Sequence, residues 1–417
     1  MLRTYREVLR LLGPLLPALS FLGRLPTAMC QLGSVLLVAE TSGSLATAGL
    51  AGGALAAGQT LGGPLLGRAA DRYGQRPVVL TAAPANAAAV AGLVAAALAD
   101  AATGWLVLLG ALAGASVPQI GPLARTRSVA LARGAGADDR TVGAVLSFEG
   151  TVDEVSFVLG PALVGLAAAV AHPAAALLVA SGLLAVCGTA FALHPSAARV
   201  APVRTKARDR TALPGAAYAL RVTMVLQGAM FGACQAGITA LTAALGRPEQ
   251  AGLVYAAMGV MSAAAGLATA AVPARVAPRA RWRAATAALV LLSAPLLWVD
   301  ALGPLYAAVV VLGVAYAPHL ITVFGLTEQI VPPGRLAECM TFLTSGIVGG
   351  QAAALALSGR LAEGHGPAAA FAVAVAGAVA CAALAWTVPV RPRRTPRIPG
   401  PAATPDGAAP SGSARGA

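Results

Sequence analysis

SFEGTVDEVSFVLGPALVG, Ser147 to Gly165, decides which solvent this chain is built for. Three carboxylates, Glu149, Asp153 and Glu154, stand in an otherwise largely apolar run, followed by a Gly-Pro pair, Gly160–Pro161. In a bilayer each such charge costs on the order of 3 kcal/mol on insertion scales, so acids there are rare and serve function. The rest of the chain chooses the bilayer. Of 417 residues, 58% are hydrophobic and only 11% charged, and the mean hydropathy is +0.76. A soluble domain carries roughly 25% charged residues. Water cannot solvate so apolar a surface, and at about 20 residues per span the length fits a dozen helices.

Twelve apolar segments can be drawn, near 11–39, 46–66, 78–98, 104–124, 143–170, 174–194, 217–245, 251–272, 284–299, 303–326, 339–361 and 368–389. Their interior Gly and Pro do not disqualify them, since both are commoner in membrane helices than in soluble ones. The expected fold is all-α, twelve transmembrane helices in two pseudo-symmetric six-helix bundles. The net charge of +13 would suggest nucleic acid in a soluble protein. Here the basic residues gather in alternate loops: Arg68, Arg72 and Arg76; Arg125, Arg127, Arg133 and Arg140; Arg199 to Arg210; Arg275 to Arg283. The two ends and Arg335 continue the pattern, and only Arg24, Arg221, Arg247 and Arg360 fall elsewhere. By the positive-inside rule the charge is a topology signal with both termini cytoplasmic, and no nucleic-acid partner is implied.

The widest basic loop, HPSAARVAPVRTKARDRTALPG, divides the chain. The expected organisation is an N-terminal bundle over 1–195, a central loop over 196–216, a C-terminal bundle over 217–390 and a disordered tail over 391–417, too poor in apolar residues to fold. Pro118–Gln119 and Pro318–His319 fall in the fourth segment of each half, as a duplicated bundle predicts. The start, MLRTYREVLRLLGPLL, resembles a signal peptide. The apolar run continues to Ala39 without a clear cleavage site, so a retained first helix is expected. Arginine outnumbers lysine 28 to one and Ala, Gly and Pro are heavily used, which suggests a GC-rich bacterial genome and a bacterial plasma membrane. The five cysteines, without CxxC spacing, read as small packing residues and not as a metal or disulfide framework.

The most specific motif is GRAADRYGQRP, Gly67 to Pro77, between the second and third segments. Gly67, Asp71, Arg72, Gly74 and Arg76 resemble the G-x-x-x-D-R-x-G-x-R loop of the major facilitator superfamily. The physics suits a tight turn: Gly67 allows close helix approach, Gly74 a positive φ, and Asp71 a helix cap or basic partner. The resemblance implies a latch between the two halves, with these residues gating and not touching substrate. The second-half counterpart, VPARVAPRARWR, keeps the basic residues and lacks the acid. LGPALVG, through Gly160, Pro161 and Gly165, resembles the end of the helix-5 motif of drug/proton antiporters, such as efflux proteins of actinobacteria. Val164 stands where that motif has a glycine.

Antiporters of this superfamily often carry an arginine in the fourth helix, but the corresponding position here is Gly110. The expected source of positive charge is Arg24, about 13 residues or ~20 Å into the first helix, a depth comparable with that of Asp153 in the fifth. Glu149 and Asp153 share a helical face, and Glu154 points about 100° away from Asp153. Three acids around one arginine would drive at least one acid towards the neutral form, a group poised to exchange a proton. A buried ion-pair network that only fixes helix packing is the alternative.

Among lesser candidates, Gln31, Gln119, Gln235 and His319 can line a cavity, alongside Gln59, Asn86, Gln227 and Gln351; hydrogen-bonded core positions are equally open to them. Trp105, Trp282, Trp298 and Trp386 read as interface anchors. Aromatic content of 4% argues against an aromatic cage for a planar cation. No P-loop is present, no cofactor or metal is implied, and the four histidines are isolated, which argues against an ATP-driven pump and against an enzyme. The expected function is proton-coupled export of a small hydrophobic or amphipathic compound by a monomer, with protons as coupling ion. A metabolite importer or uniporter and a non-transporting membrane sensor remain as other readings.

Overall fold

The computed structural model describes residues 2–200, 213–247, 250–272 and 275–390. Most of the expected central loop and all of the expected tail lie outside these residues. Every regular element among them is helical. A short α1 (Leu2–Leu12) precedes α2 (Leu15–Ser42), and Gly13, with φ +69°, makes the corner between them. Next come α3 (Leu45–Tyr73), α4 (Gln75–Leu98), α5 (Thr103–Ala115), α6 (Ile120–Gly134) and α7 (Asp139–Val170). A rod from Pro173 to Leu193 comprises α8 (Pro173–Leu183), a π turn at Leu184–Gly188 and α9 (Thr189–Leu193). The second half holds α10 (Gly215–Ala244), α11 (Gln250–Thr269), α12 (Pro278–Ser293), α13 (Leu302–Ile330), α14 (Leu336–His365) and α15 (Pro367–Thr387).

Each apolar segment of the sequence lies on these rods, the fourth (104–124) being shared between α5 and α6. Among the described residues, ten helical stretches are long and apolar enough to cross a membrane. The stretches at α3 and α12 are not among them: α3 is rich in glycine and ends in Arg68, Asp71 and Arg72, and α12 has only 16 residues. Three apolar cores hold the rods together. One comes from the N-terminal half, around Met29, Leu37, Leu93 and Leu177. A second comes from the C-terminal half, around Met230, Leu289, Tyr316 and Phe371. The third draws on both, joining Leu123, Val145 and Phe191 to Met224, Phe324 and Met340. It lies at the arginine-rich ends of the helices, where the two halves are closed against each other.

Lipid offers little hydrophobic drive between helices, so small residues that admit close backbone approach carry the crossings. A Cβ at Gly110 would stand 2.7 Å from Ala51 O, in the α3–α5 crossing. That explains why no arginine occupies this position. Trp282 corrects one expectation: it is fully buried in the shared core and is no interface anchor, whereas Trp105, Trp298 and Trp386 are exposed. Trp282 lies in the first turns of α12, beside the arginine-rich ends where the halves meet, so a helix-end position here is interior.

Candidate functional site

The site is built on α7. Asp138 caps it by accepting the Thr141 N–H at 2.8 Å, a bond that also holds this carboxyl below its usual range. One face of α7 lies against α2, and Gly160 makes the contact possible: a Cβ there would stand 2.6 Å from Ala28 Cβ and 3.1 Å from Met29 N. Gly165 faces open space, so only the first glycine of the helix-5 motif is a packing residue.

At this crossing Arg24 is buried and bridges two acids. Its Nη1 donates to Asp153 Oδ1 at 2.8 Å and to Glu149 O at 3.0 Å, and its Nη2 pairs with Glu149 Oε2. Glu149 Oε1 accepts from Ser128 Oγ at 2.7 Å. Arg24 is not alone. Arg125 of α6, wholly buried, pairs through Nη2 with Asp153 Oδ2. Its guanidinium lies 3.6 Å from the ring centroid of Phe324, on α13 of the other half. The network therefore contains two guanidinium groups and two carboxylates, and its formal charge is zero. Removing one member of a buried pair typically costs about 3–5 kcal/mol, because the other charge is left unmatched.

This corrects the sequence reading of Arg125 and Arg127 as loop charges. Pro118 ends α5, Gln119 takes a left-handed conformation with φ +53°, and α6 then starts afresh and runs on to Gly134. The restart carries both arginines into the interior. Arg127 donates to Gln75 Oε1 at 3.0 and 3.2 Å and to Phe191 O at 2.8 Å, and it stacks on the Phe191 ring. It fastens α6 to α4 and α9, away from the acids. The charge signal in the sequence, a basic run after an apolar one, reads as a loop; only the pairing with Asp153 distinguishes it.

Glu154 is not in this network. It is buried on the other side of α7, beside Ser262 and Tyr255 of α11. The three acids of the opening stretch are thus divided between two faces.

The motif loop closes the arginine-rich end. Asp71 accepts the backbone N–H groups of Ala337 and Glu338 at 3.0 and 2.8 Å and so caps α14 of the other half. Glu338 in turn receives Arg68 at 3.1 Å and Arg335 at 3.0 Å, with Arg221 of α10 at 3.7 Å. Gly67 sits tightly against α14: a Cβ there would stand 2.8 Å from Ala337 O. Gly74 turns the chain with φ +90°. A second tie between the halves runs from Arg133 to Glu328 of α13 at 3.5 Å.

Residues 15–337 match the model of the Major Facilitator Superfamily. The chain belongs to the major facilitator superfamily. The human organic anion transporter MFSD10 (TETRAN) is 20% identical, with a TM-score of 0.65 over 92% of this chain and 99% of that one. A bacterial homologue of the iron transporter ferroportin, in its outward-facing state, is 12% identical, with a TM-score of 0.71 over 89% and 98%. The E. coli fucose:proton symporter is 14% identical, with a TM-score of 0.63 over 89% and 97%. At these identities the likeness is one of fold. No curated protein matches in sequence. The fold is a transporter fold, consistent with secondary transport.

Within that superfamily fold the other predicted residues scatter. Arg72 lies over the ring of its neighbour Tyr73, and Arg76 is exposed; among the described residues neither pairs with the other half, and Arg68, which the motif reading passed over, does. Gln31 donates to Gln59 at 3.4 Å and Gln351 to Gln235 at 3.4 Å, two separate pairs. Gln119 is buried at the helix break, its Nε2 without a hydrogen-bond partner, against Gly63 of α3. His319 is buried, its Nδ1 2.7 Å from Gln227 Oε1, while Gln227 donates to Tyr316 O at 3.1 Å. It is held as a core histidine.

Proposed function

We propose that this superfamily member is a proton-coupled secondary transporter that exports a small hydrophobic or amphipathic compound by alternating access. In this reading twelve helices cross a bacterial plasma membrane in two six-helix bundles, α3 and the α12 rod completing the ten apolar stretches. The protein works as a monomer, and the arginine-rich ends are cytoplasmic. The observation that carries the coupling is the buried network of Arg24, Arg125, Glu149 and Asp153, with Arg125 resting on Phe324 of the opposite half. A change of protonation among the acids of α7 would alter the hold of these arginines and be felt at the junction of the halves. The closed arginine-rich end, latched through Asp71 and Glu338, supports an arrangement open on the other side. The helix-5 motif residues Gly160 and Pro161 favour export, and the fold suits a path between the halves.

The test is transport in proteoliposomes with an imposed pH gradient, using ethidium, a neutral and an anionic fluorophore as probes. Wild-type flux of at least one probe should follow the gradient with the sign of antiport. Asp153→Asn, Glu149→Gln and Arg24→Ala should each impair it. If all three keep wild-type proton-driven flux, the coupling assignment is wrong; flux with the sign of symport favours the importer.

A further inference from the structure

Two faces of α7 meet two different environments. Glu149, Asp153 and Gly160 turn to α2 and α6. Ser147, Thr151, Glu154 and Val158, spaced by four, three and four residues, form a second stripe of the same helix. That stripe runs along α11, in the other half of the chain. Ser147 Oγ donates to Gly266 O. A Cβ at Gly266 would stand 3.2 Å from Thr151 Oγ1, and one at Gly259 would stand 2.7 Å from Val158 Cγ2. Glu154 lies between these contacts, roughly 23 Å along α7 from Asp139 and so about half-way through the helix.

Its surroundings are unlike those of its neighbours. Glu154 is only 8% exposed and makes no ion pair among the described residues. The Ser262 hydroxyl is within its reach, yet Ser262 Oγ is itself buried and completes no hydrogen bond. The titratable and charged groups around it are few. Asp153 precedes it on α7, and the Tyr255 phenol faces it from α11. Arg24 of α2 and Arg125 of α6 are committed to Glu149 and Asp153. From α13, Leu320, Ile321 and Phe324 approach α7 and Arg125, and the Glu328 carboxylate is tied to Arg133 at the arginine-rich end.

We propose that Glu154 is the proton carrier of this transporter, and that it holds its proton in the arrangement seen here. This rests on the proton-coupled reading above and assigns the proton within it. An ionised carboxylate buried in this seam, with no countercharge among the described residues and a like charge next to it, is strongly disfavoured. Protonated, the same group has an O–H to donate, and Ser262 Oγ is an acceptor in reach. Asp153 and Glu149, each matched by guanidinium, position α7. The seam between α7 and α11 joins the two halves, so alternating access must part it. When it parts, water reaches Glu154 and the O–H proton leaves to water on that side; once it has closed and the opposite side is open, one proton is taken up from water on the opposite side. No other bond changes.

The experiment is infrared spectroscopy of the purified full chain, wild type against Glu154→Gln. The difference spectrum should contain the carbonyl stretch of one protonated carboxylic acid at neutral pH, lost as the pH is raised. A difference spectrum without that band overturns the assignment. If Glu154→Gln does not fold, Glu154→Asp carries the same test, because the band should shift in frequency and not stay in place. In proteoliposomes Glu154→Gln should lose the response to a pH gradient while still exchanging whichever of the three fluorophores the wild type carries, an outcome that a merely structural role does not give. Full gradient-driven flux in Glu154→Gln also overturns it. Should the wild type show no gradient response, the proton-coupled reading itself fails; a responding wild type without the band removes Glu154 alone.

Discussion

Removing the carboxylate of Asp71 should open the arginine-rich end, and the size of the effect follows from its contacts. Asp71 is the side-chain cap of α14, accepting two backbone N–H groups across the junction of the halves. Losing such a cap costs about 1 kcal/mol. Losing the negative charge at a helix N-terminus costs up to about 1 kcal/mol more. Asp71→Ala should therefore weaken the latch by about 2 kcal/mol, which is roughly a 25-fold rise in the unlatched population. Asp71→Asn keeps an acceptor and should show about half that free energy, or roughly fivefold. The protein supplies its own reporter. Cys339 is 1% exposed, one residue beyond Glu338, and accepts from Arg221 at 3.1 Å. With the other four cysteines replaced by serine, its alkylation rate should follow the open population, provided closing is faster than labelling. Cys234, buried in the second-half core, is the control against general loosening. The reasoning is refuted if Asp71→Ala labels Cys339 at the parent rate, or if Cys234 in a matched background accelerates equally.

Two further substitution pairs separate packing from charge. Asp153→Asn leaves the wholly buried Arg125 without its carboxylate, although Arg125 Nε and Nη1 already lack partners, so stability should fall by about 3–5 kcal/mol. Arg125→Met leaves Asp153 paired with Arg24 and should cost clearly less; equal shifts in thermal melting would contradict the network. Gly160→Val should disrupt the α2–α7 crossing and transport together, whereas Gly165→Ala meets nothing within 4 Å and should be neutral or stabilising by up to about 1 kcal/mol, as read by expression yield and melting.

The helices and their approximate ends were legible in the sequence because hydropathy in a membrane protein is a local property. A run such as Leu302 to Ile330 declares itself without reference to any neighbour. The pairing of Arg24 with the acids was also legible, from comparable depth along two rods that the superfamily resemblance implies to be neighbours, since helical rise is fixed. Arg125 was not. Its environment depends on the break at Gln119, on Asp153 from another helix and on Phe324 nearly 200 residues away, and none of these leaves a mark beside Arg125 itself. For the same reason Arg68 and not Arg72 reaches Glu338: the motif fixes the loop, but the turn of α3 decides which arginine faces α14.

The division of α7 follows from the spacing of its acids. Positions 149 and 153 are one turn apart and can share a pair of guanidinium groups, which makes both charges tolerable away from water. Position 154 is turned by about 100° from 153, so no arginine on α2 or α6 can serve it. A single residue of register thus places one carboxylate where the two halves must separate and leaves it without a countercharge among the described residues. Moving that acid by one position should take it out of the seam. Glu154→Gln combined with Val155→Glu would turn the group a further step round the helix, towards the exposed side that Val155 now occupies. Carried there, half-way along a membrane-spanning helix, it should lose its link to the α7–α11 seam. A double variant of this kind that still responded to the pH gradient would mean that proton coupling depends on the charge of α7 as a whole and not on the seam.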